Sequence, residues 1–588
     1  MLGSRELQDH SACNDVCTLF LKDFFTVINT TSFSLQIDRA YLAQRGRTEM
    51  IFMNKKEYFG IMIDCSRNAV ISIDALKKFI DLMEKMSYNT LMLYTEETYE
   101  IKGEPYFGYL RGHYTGEEIR EIDAYCASKN IELVPCIQTL AHINCLTRWE
   151  TYKPYIDVND ILLIDDERTY ALIENMFKSL HDNFSSRLVH IGMDEAEMVG
   201  LGQYLKQHGF CDRFEILKNH LEKVSAIAEK YGFKPMMWSD MFFKLGTGEY
   251  YTDNPDVITK DMERLVPENI SLVYWDYYST EKNHYTNMIK AHKNFNRPVW
   301  FAGGFWSWTG MVPHNGYSIK ATGAAVDICM KENVGNMIFT LWGDDGAECS
   351  PFALLPSMFY TSQLKQGISD MNLIKKNFKS LIGIDFDDFM LLDLPGINHD
   401  DYISNHDKYM LYNDYFLGIY DPVTSSPKND IYQNLSEKLA LLCQNENYGY
   451  LFESEKLLCD VLAHKNDIGI RTRKAYKSDD KDALKALSQE YDLISEKIRE
   501  FTVSFRKAWY KDKKAYGFEL QDARLGGLIE RTKSCKQRID DYVNENINKI
   551  EELEETLLDP LCREASEIDN RDLCCNSWNN SFINRTGF

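Results

Sequence analysis

From Gly60 to Trp342 the chain alternates between short apolar runs and longer segments in which apolar residues recur every three or four positions. The short runs are GIMID from Gly60, TLMLYT from Thr90, ELVPCI from Glu132, LVHIGM from Leu188, PMMWS from Pro235, SLVYW from Ser271, PVWFAG from Pro298 and MIFTLW from Met337. Apolar character that is continuous rather than alternating predicts strands covered on both faces. The longer segments, among them DALKKFIDLMEKM, GEEIREIDAYCASKN and FEILKNHLEKVSAIAEKYG, predict helices, the last of them closing at Gly232. Eight strand–helix units over roughly 285 residues match the size of a closed (β/α)8 barrel. The predicted fold class is therefore α/β, a TIM barrel over residues 57–355.

The pattern differs on either side. Residues 1–56 read as a short α/β-like segment whose apolar stretch, Val16 to Ile28, predicts one helix or a strand pair. Beyond residue 355, the loop-like DPVTSSPKND from Asp421 precedes charged helical segments from about Ile431 to Leu558, so 356–588 is expected to be a mostly α-helical C-terminal domain. Within it Ile539, Val543, Ile547, Ile550, Leu553 and Leu557 are spaced as one apolar stripe along a helix. Such a stripe packs inside its own bundle or against a second copy of the chain.

Composition narrows the function. The 588 residues carry 66 basic and 89 acidic side chains, a net charge of −23, with no basic stripe interleaved with aromatics. That field repels phosphate backbones, so no nucleic-acid partner is expected. No apolar run approaches the ~18 residues of a membrane helix, and the N-terminus lacks the charged-then-apolar layout of a signal peptide. The expectation is a soluble, cytoplasmic protein with no membrane partner. Its 15 cysteines are scattered without a CxxC pair, which fits reduced, buried thiols rather than disulfides or zinc ligands.

A barrel of this class carries its chemistry at the C-terminal ends of its strands. Those ends read Asp64 to Arg67, Glu96-Glu97, Gln138 to His142, His190 to Glu195, Trp238 to Asp240, Trp275 to Tyr278, Gly303 to Trp306, and Trp342 to Asp345. Carboxylates mixed with indoles suit a sugar, whose C–H faces lie on aromatic rings while its hydroxyls meet charged groups. The sharpest element is His190-Ile-Gly-Met-Asp194-Glu195. Strand neighbours point to opposite faces, so Asp194 and Glu195 share a pocket only if the backbone turns, which Gly192 eases. Alternatively Asp194, Glu195 and Glu197 decorate the first turn of a helix over EMVGLGQYLKQHG, where acids meet the positive end of the dipole.

These residues resemble glycoside hydrolase family 20, the β-N-acetylhexosaminidases. The resemblance is carried by His-Ile-Gly-Met-Asp194-Glu195 after strand four, Asp64-Cys-Ser-Arg67 at strand one and Trp342-Gly-Asp344 at strand eight. The runs DCSRNAV, VPCIQTLAH, MWSDMFFKL, VYWDYY and DARLGGL are similar to the intracellular, streptococcal-type subgroup that trims N-glycans. The resemblance implies an exo-acting, retaining enzyme that removes terminal β-linked N-acetylhexosamine and needs no metal or cofactor. The substrate's own acetamide attacks the anomeric carbon through an oxazolinium intermediate. It further implies that Glu195 is the general acid and base, that Asp194 orients the acetamide and stabilises the cation, and that Tyr277 holds the acetamide oxygen. Arg67 and Asp344 would bind ring hydroxyls. Trp238, Trp275, Trp306 and Trp342 would wall the pocket, with His142 and Glu97 positioning the catalytic pair. A homodimer is implied as well. Where the family usually has Gly-Gly-Asp-Glu, Pro-Gly-His and a strand-two aspartate pair, this chain has Gly192-Met193-Asp194-Glu195, Leu140-Ala141-His142 and Glu96-Glu97. Two rival readings are a metal-dependent barrel hydrolase, with His142, His190, Asp194 and Glu195 as ligands, and a non-catalytic glycan-binding barrel.

Overall fold

A computed structural model describes residues 56–397, 404–424, 428–560, 562, 578 and 581. The N-terminal segment expected over 1–56, with its apolar stretch, lies outside the described residues except for Lys56.

All eight apolar runs are strands. They are β1 (Phe59–Asp64), β2 (Thr90–Tyr94), β3 (Glu132–Cys136), β4 (Leu188–His190), β5 (Lys234–Trp238), β6 (Ser271–Trp275), β7 (Val299–Gly304) and β8 (Met337–Leu341). Each pairs in parallel with its sequence neighbours, and β8 closes on β1 from Phe59 opposite Met337 to Ile63 opposite Leu341. Alternate side chains explain the continuous apolar character. Met62, Met92, Val134, Met236, Val273, Ala302 and Ile338 fill the barrel interior, while Ile61, Leu91, Leu133, Leu272 and Phe339 face the surrounding helices.

The helices begin and end where local chemistry dictates. In α1 (Ile73–Lys85), Ser72 accepts the Ala75 N–H, and Ala75, Leu76, Phe79, Ile80 and Met83 form the buried stripe. Before α2 (Gly116–Ser128), Thr115 and Glu118 cap each other's backbone reciprocally. Helix α3 (Arg213–Lys230) starts at Asp212 and is followed by Gly232 at φ 75°, the predicted stop. The last barrel helix, α4 (Leu355–Lys365), begins where the barrel was expected to end, so the barrel layer extends about one helix further. The sequence pattern did not reveal a small hairpin, Ile156–Val158 with Ile161–Leu162, between β3 and β4. Its Asp157 carboxylate accepts the Gly200 and Tyr204 N–H groups at 2.9 and 2.7 Å, anchoring the loop that follows β4.

The C-terminal region is helical, dominated by α5 (Lys481–Asp512) and α6 (Phe518–Val543). The expected stripe is not one helix. Helix α6 stops at Val543, Glu545 takes φ 61°, and a separate short turn spans Glu551–Glu554. Ile539, Ile550 and Leu553 are nevertheless fully buried within the chain, and the Ile550 N–H is taken up by the Tyr476 hydroxyl at 3.1 Å. These three pack within the bundle itself, while Val543, Ile547 and Leu557 are half-buried.

Where helical region and barrel meet, carboxyl groups are buried. Asp393 accepts from Asn315 Nδ2 and the Gly316 N–H, and burial pushes it up to about 7; burial likewise pushes Asp407 up to about 6. A carboxyl raised in the fold and near 3.9 when unfolded holds its proton only in the folded state between those values. Its contribution to stability is full below about pH 4 and is lost as pH rises through about 7. Asp393→Asn is therefore expected to lower Tm at pH 5 and to lower it less at pH 8, as measured by calorimetry. A penalty that grows with pH contradicts the assignment.

Candidate active site

Past the end of β4 the chain turns through Gly192 (φ 72°), Met193 (φ 72°) and Glu195 (φ 51°). Left-handed backbone at two non-glycine residues costs of order 1–3 kcal/mol each. It achieves what an extended strand does not, because two consecutive side chains reach one side. Asp194 Oδ2 and Glu195 Oε2 lie 3.2 and 3.6 Å from a single nitrogen, His142 Nε2. A Cβ on residue 192 would stand 2.0 Å from Gln138 Oε1, so the turn has room only for glycine. The next helix starts at Gln203, and Asp194, Glu195 and Glu197 therefore do not decorate a helix N-terminus.

Gln138, which the sequence placed at a strand end without a role, holds this turn. Pairing between β3 and β4 continues beyond the strands, with Ile137 N–H on His190 O (2.9 Å) and Thr139 N–H on Ile191 O (3.2 Å). The intervening Gln138 side chain is fully buried. Its Nε2 donates to Asp194 Oδ1 (2.7 Å) and to the Tyr94 hydroxyl (2.9 Å), while its Oε1 accepts the Met193 N–H (3.0 Å). Burial works against ionising Asp194, but His142 and the Gln138 amide outweigh it and bring the carboxyl down to about 2. The same contest favours charge on His142, where Asp194 overcomes burial and raises the ring to about 9. Asp194 and His142 thus form a buried ion pair.

Glu195 differs from its neighbour in being half exposed at the mouth. Partial burial and then the Asp194 charge raise its carboxyl above the ordinary range, as a proton donor requires. Its backbone N–H donates to Asp240 Oδ2 at 3.0 Å, and Asp240 Oδ1 accepts the Trp275 indole N–H at 3.2 Å. Buried Asp240, pushed up to about 7 by burial and by Asp194, fixes the acid and one wall of the pocket together. The polar Ser-Asp pair ending an apolar run was the available signal for it.

The pocket is lined by Asp194, Glu195, Arg67, Asp344, Tyr277 and Tyr278, with Trp238, Trp275, Trp308 and Trp342 as its indole walls. Arg67 sits over the Tyr94 and Trp342 rings at 4.9 and 4.7 Å and lies 3.4 to 3.9 Å from Asp64, Glu96 and Asp344. Tyr277 stacks on Trp275 at 5.3 Å. Two expected residues lie elsewhere. Trp306 is one layer back, stacked on Trp308 at 4.4 Å with its indole N–H on the Tyr277 carbonyl, so Trp308 faces the pocket in its place. Glu97 turns away to Arg111 at 2.7 Å, and Glu96 is the member of that pair that faces Arg67 and accepts from Tyr94. The metal-ligand set is not assembled either. His190 is buried beneath the site, its Nδ1 accepting the Gly192 N–H, and among the described residues no three His, Cys, Asp or Glu side chains converge as ligands.

Residues 57–293 match the profile of the glycosyl hydrolase family 20 catalytic domain, and residues 387–570 match the glycoside hydrolase 20C C-terminal domain, well over half of the chain between them. The chain belongs to glycoside hydrolase family 20. Among its relatives are a β-hexosaminidase of Akkermansia muciniphila, 26% identical over 215 residues, and the bovine hexosaminidase D, 24% identical over 253 residues. These alignments cover 30% and 40% of this chain, and 43% and 68% of the respective relatives. Of solved structures, the Flavobacterium johnsoniae chitobiase overlaps 74% of each chain at 15% identity with a TM-score of 0.43. The β-N-acetylhexosaminidase of Bacteroides fragilis overlaps 56% of this chain and 70% of its own at 18% identity and a TM-score of 0.43.

The Asp194–His142 pair of this family 20 chain has a measurable signature. In an NMR titration the His142 ring is expected to lose its proton near pH 9. In Asp194→Asn, burial acts without the compensating charge, so the midpoint should fall below the ordinary histidine value of about 6.5. A midpoint unmoved by the substitution rules out the pair.

Proposed function

We propose that the chain is an exo-acting, retaining β-N-acetylhexosaminidase that works by substrate assistance. The observation that carries the reading is the fate of the carboxylates. Asp194 and Glu195 share one imidazole, while the others around the pocket are already engaged: Asp240 with Glu195 and Trp275, Glu96 with Tyr94, Asp344 with Arg67. Among the described residues that line the pocket, the one carboxylate besides Asp194 and Glu195 is Asp344, which faces Arg67, whereas a two-carboxylate retaining mechanism requires a second carboxylate free to act as nucleophile. The nucleophile then has to come with the substrate, and a 2-acetamido oxygen is positioned to attack its own anomeric carbon.

In this scheme Glu195 gives its proton to the leaving oxygen and later takes one from water. Asp194, held ionised by His142 and Gln138, accepts from the acetamide N–H and offsets the positive charge that develops on the ring. The Tyr277 hydroxyl donates to the acetamide oxygen, and the Trp238, Trp275 and Trp308 faces take the methyl and the sugar ring. Arg67 and Asp344 meet the ring hydroxyls. The names of the relatives, β-hexosaminidase and hexosaminidase D, favour the same substrate class, terminal GlcNAc or GalNAc on a glycan. The resemblance of the DARLGGL run favours the N-glycan-trimming subgroup. Buried free thiols such as Cys65, Cys136 and Cys349 suit a reducing, cytoplasmic setting.

Chromogenic β-glycosides of GlcNAc, GalNAc and glucose, assayed side by side, test the scheme. The glucoside, which lacks the acetamide, should be almost inert, and trapping a covalent sugar on any side chain would overturn the mechanism. Glu195→Gln is expected to lower turnover on an unactivated glycan at least about a hundredfold and much less on an aryl glycoside, whose leaving group needs little protonation. Equal losses contradict its role as the acid.

Assembly as a homodimer in which the C-terminal helical unit participates belongs to the same proposal. Light scattering should then report about twice 68.5 kDa. A mass of 68.5 kDa removes the dimer without touching the chemistry.

A further inference from the structure

Asp344 and Arg67 stand on two loops that the barrel alone does not hold. The loop after β8 turns through Asp345 (φ 60°), Gly346 (φ 138°) and Ala347 (φ 52°), three successive left-handed residues of which two are not glycine. Such a turn persists only where its surroundings over-determine it. Here the surroundings come from the helical region. Arg524 Nη1 donates to the Asp345 carbonyl at 2.8 Å, Gln521 Nε2 approaches the Gly346 carbonyl at 3.4 Å, and Lys513 Nζ donates to the carbonyls of Ala347 and Cys349. Beneath them, Glu348 accepts from Arg524 at 3.0 Å and from the fully buried Lys408 at 2.8 Å. Trp578 covers both cations and donates its indole N–H to Asp345 Oδ2 at 3.0 Å.

The loop after β1, which carries Arg67, docks on the same helical hairpin. Asn68 Nδ2 bridges the carbonyls of Gly346 and Gly517, Ser72 N–H donates to Asp512 O, and Lys514 N–H donates to Val70 O. Asn68 thus links the β1 loop, the β8 turn and the start of α6 in one contact. Arg524 and Gln521 lie in QDARLGGL, a run that the sugar chemistry itself leaves without a use.

We infer that Arg524 is a positioning residue for sugar recognition. Through the Asp345 carbonyl it holds the β8 turn at the angle that brings Asp344 to 3.9 Å from Arg67, so the helical region sets how tightly the ring hydroxyls are gripped. This inference rests on the reading that Asp344 and Arg67 meet those hydroxyls.

A double-mutant cycle on the full chain tests it, with KM and kcat measured on an aryl β-GlcNAc glycoside and Tm recorded in parallel. Arg524→Met is expected to raise KM about tenfold with kcat changed less than about threefold, because a contact made equally in ground and transition states has been loosened. In an Asp344→Asn background the same change should cost less than about twofold in KM, since residues that act through one another are not additive. Arg524→Lys, which keeps a donor for the carbonyl, should recover most of the loss. A merely structural role lowers Tm by similar amounts in both backgrounds and leaves the KM losses multiplicative, and multiplicative losses overturn the inference. If Arg524→Met does not fold, Gln521→Leu carries the same cycle with the same two outcomes. A wild type inert on the glycoside brings down the reading of the pocket, and this inference with it. An active wild type with independent losses brings down this inference alone.

Discussion

Neighbouring residues of an extended strand face opposite ways, yet past the end of β4 Asp194 and Glu195 both approach the same His142 nitrogen. The solution is a stretch of left-handed backbone that is unfavourable in itself. It is held by one amide, because Gln138 spans Asp194, the Met193 N–H and the Tyr94 hydroxyl without leaving any polar atom of its side chain idle. The buried Asp194–His142 pair adds the electrostatic half of the constraint. Buried Asp194 is stabilised as an anion, and its charge in turn discourages ionisation of half-exposed Glu195. Two chemically similar side chains, consecutive in sequence, thereby acquire opposite protonation preferences.

The rest of the pocket is organised around that turn. Asp240 ties the Glu195 backbone to the Trp275 indole, so Glu195 and the aromatic wall share one anchor. Asp64 at the end of β1 accepts the Gly343 N–H at 2.9 Å and reaches Arg67, which joins the first and last strands at the rim where the barrel closes. The side of the pocket that carries Arg67 and Asp344 depends on a second layer, the helical hairpin, whose cations cap carbonyls in the loop after β8. A buried cluster of Lys408, Glu348 and Arg524 is costly to desolvate, a cost that its mutual pairing at 2.8 and 3.0 Å offsets.

The sequence by itself determined the barrel, because a strand buried on both faces has to be apolar throughout and eight such runs are hard to place otherwise. It also determined which rim positions carry carboxylates and indoles, and the His-Ile-Gly-Met-Asp-Glu run showed where the backbone has to turn. Tertiary structure alone decided which of two adjacent or near-adjacent residues faces inward. Glu96 rather than Glu97 faces Arg67, and Trp308 rather than Trp306 lines the pocket, since beyond a strand end the period of two is lost and loop dihedrals set direction. It decided as well that the apolar spacing from Ile539 to Leu557 is broken by a turn, a spacing that reads the same whether or not the helix continues. The roles of Gln138, Asp240 and Arg524 belong to the tertiary structure for the same reason: each is defined by partners distant along the chain, and a hydrogen bond between distant residues leaves no period in the sequence.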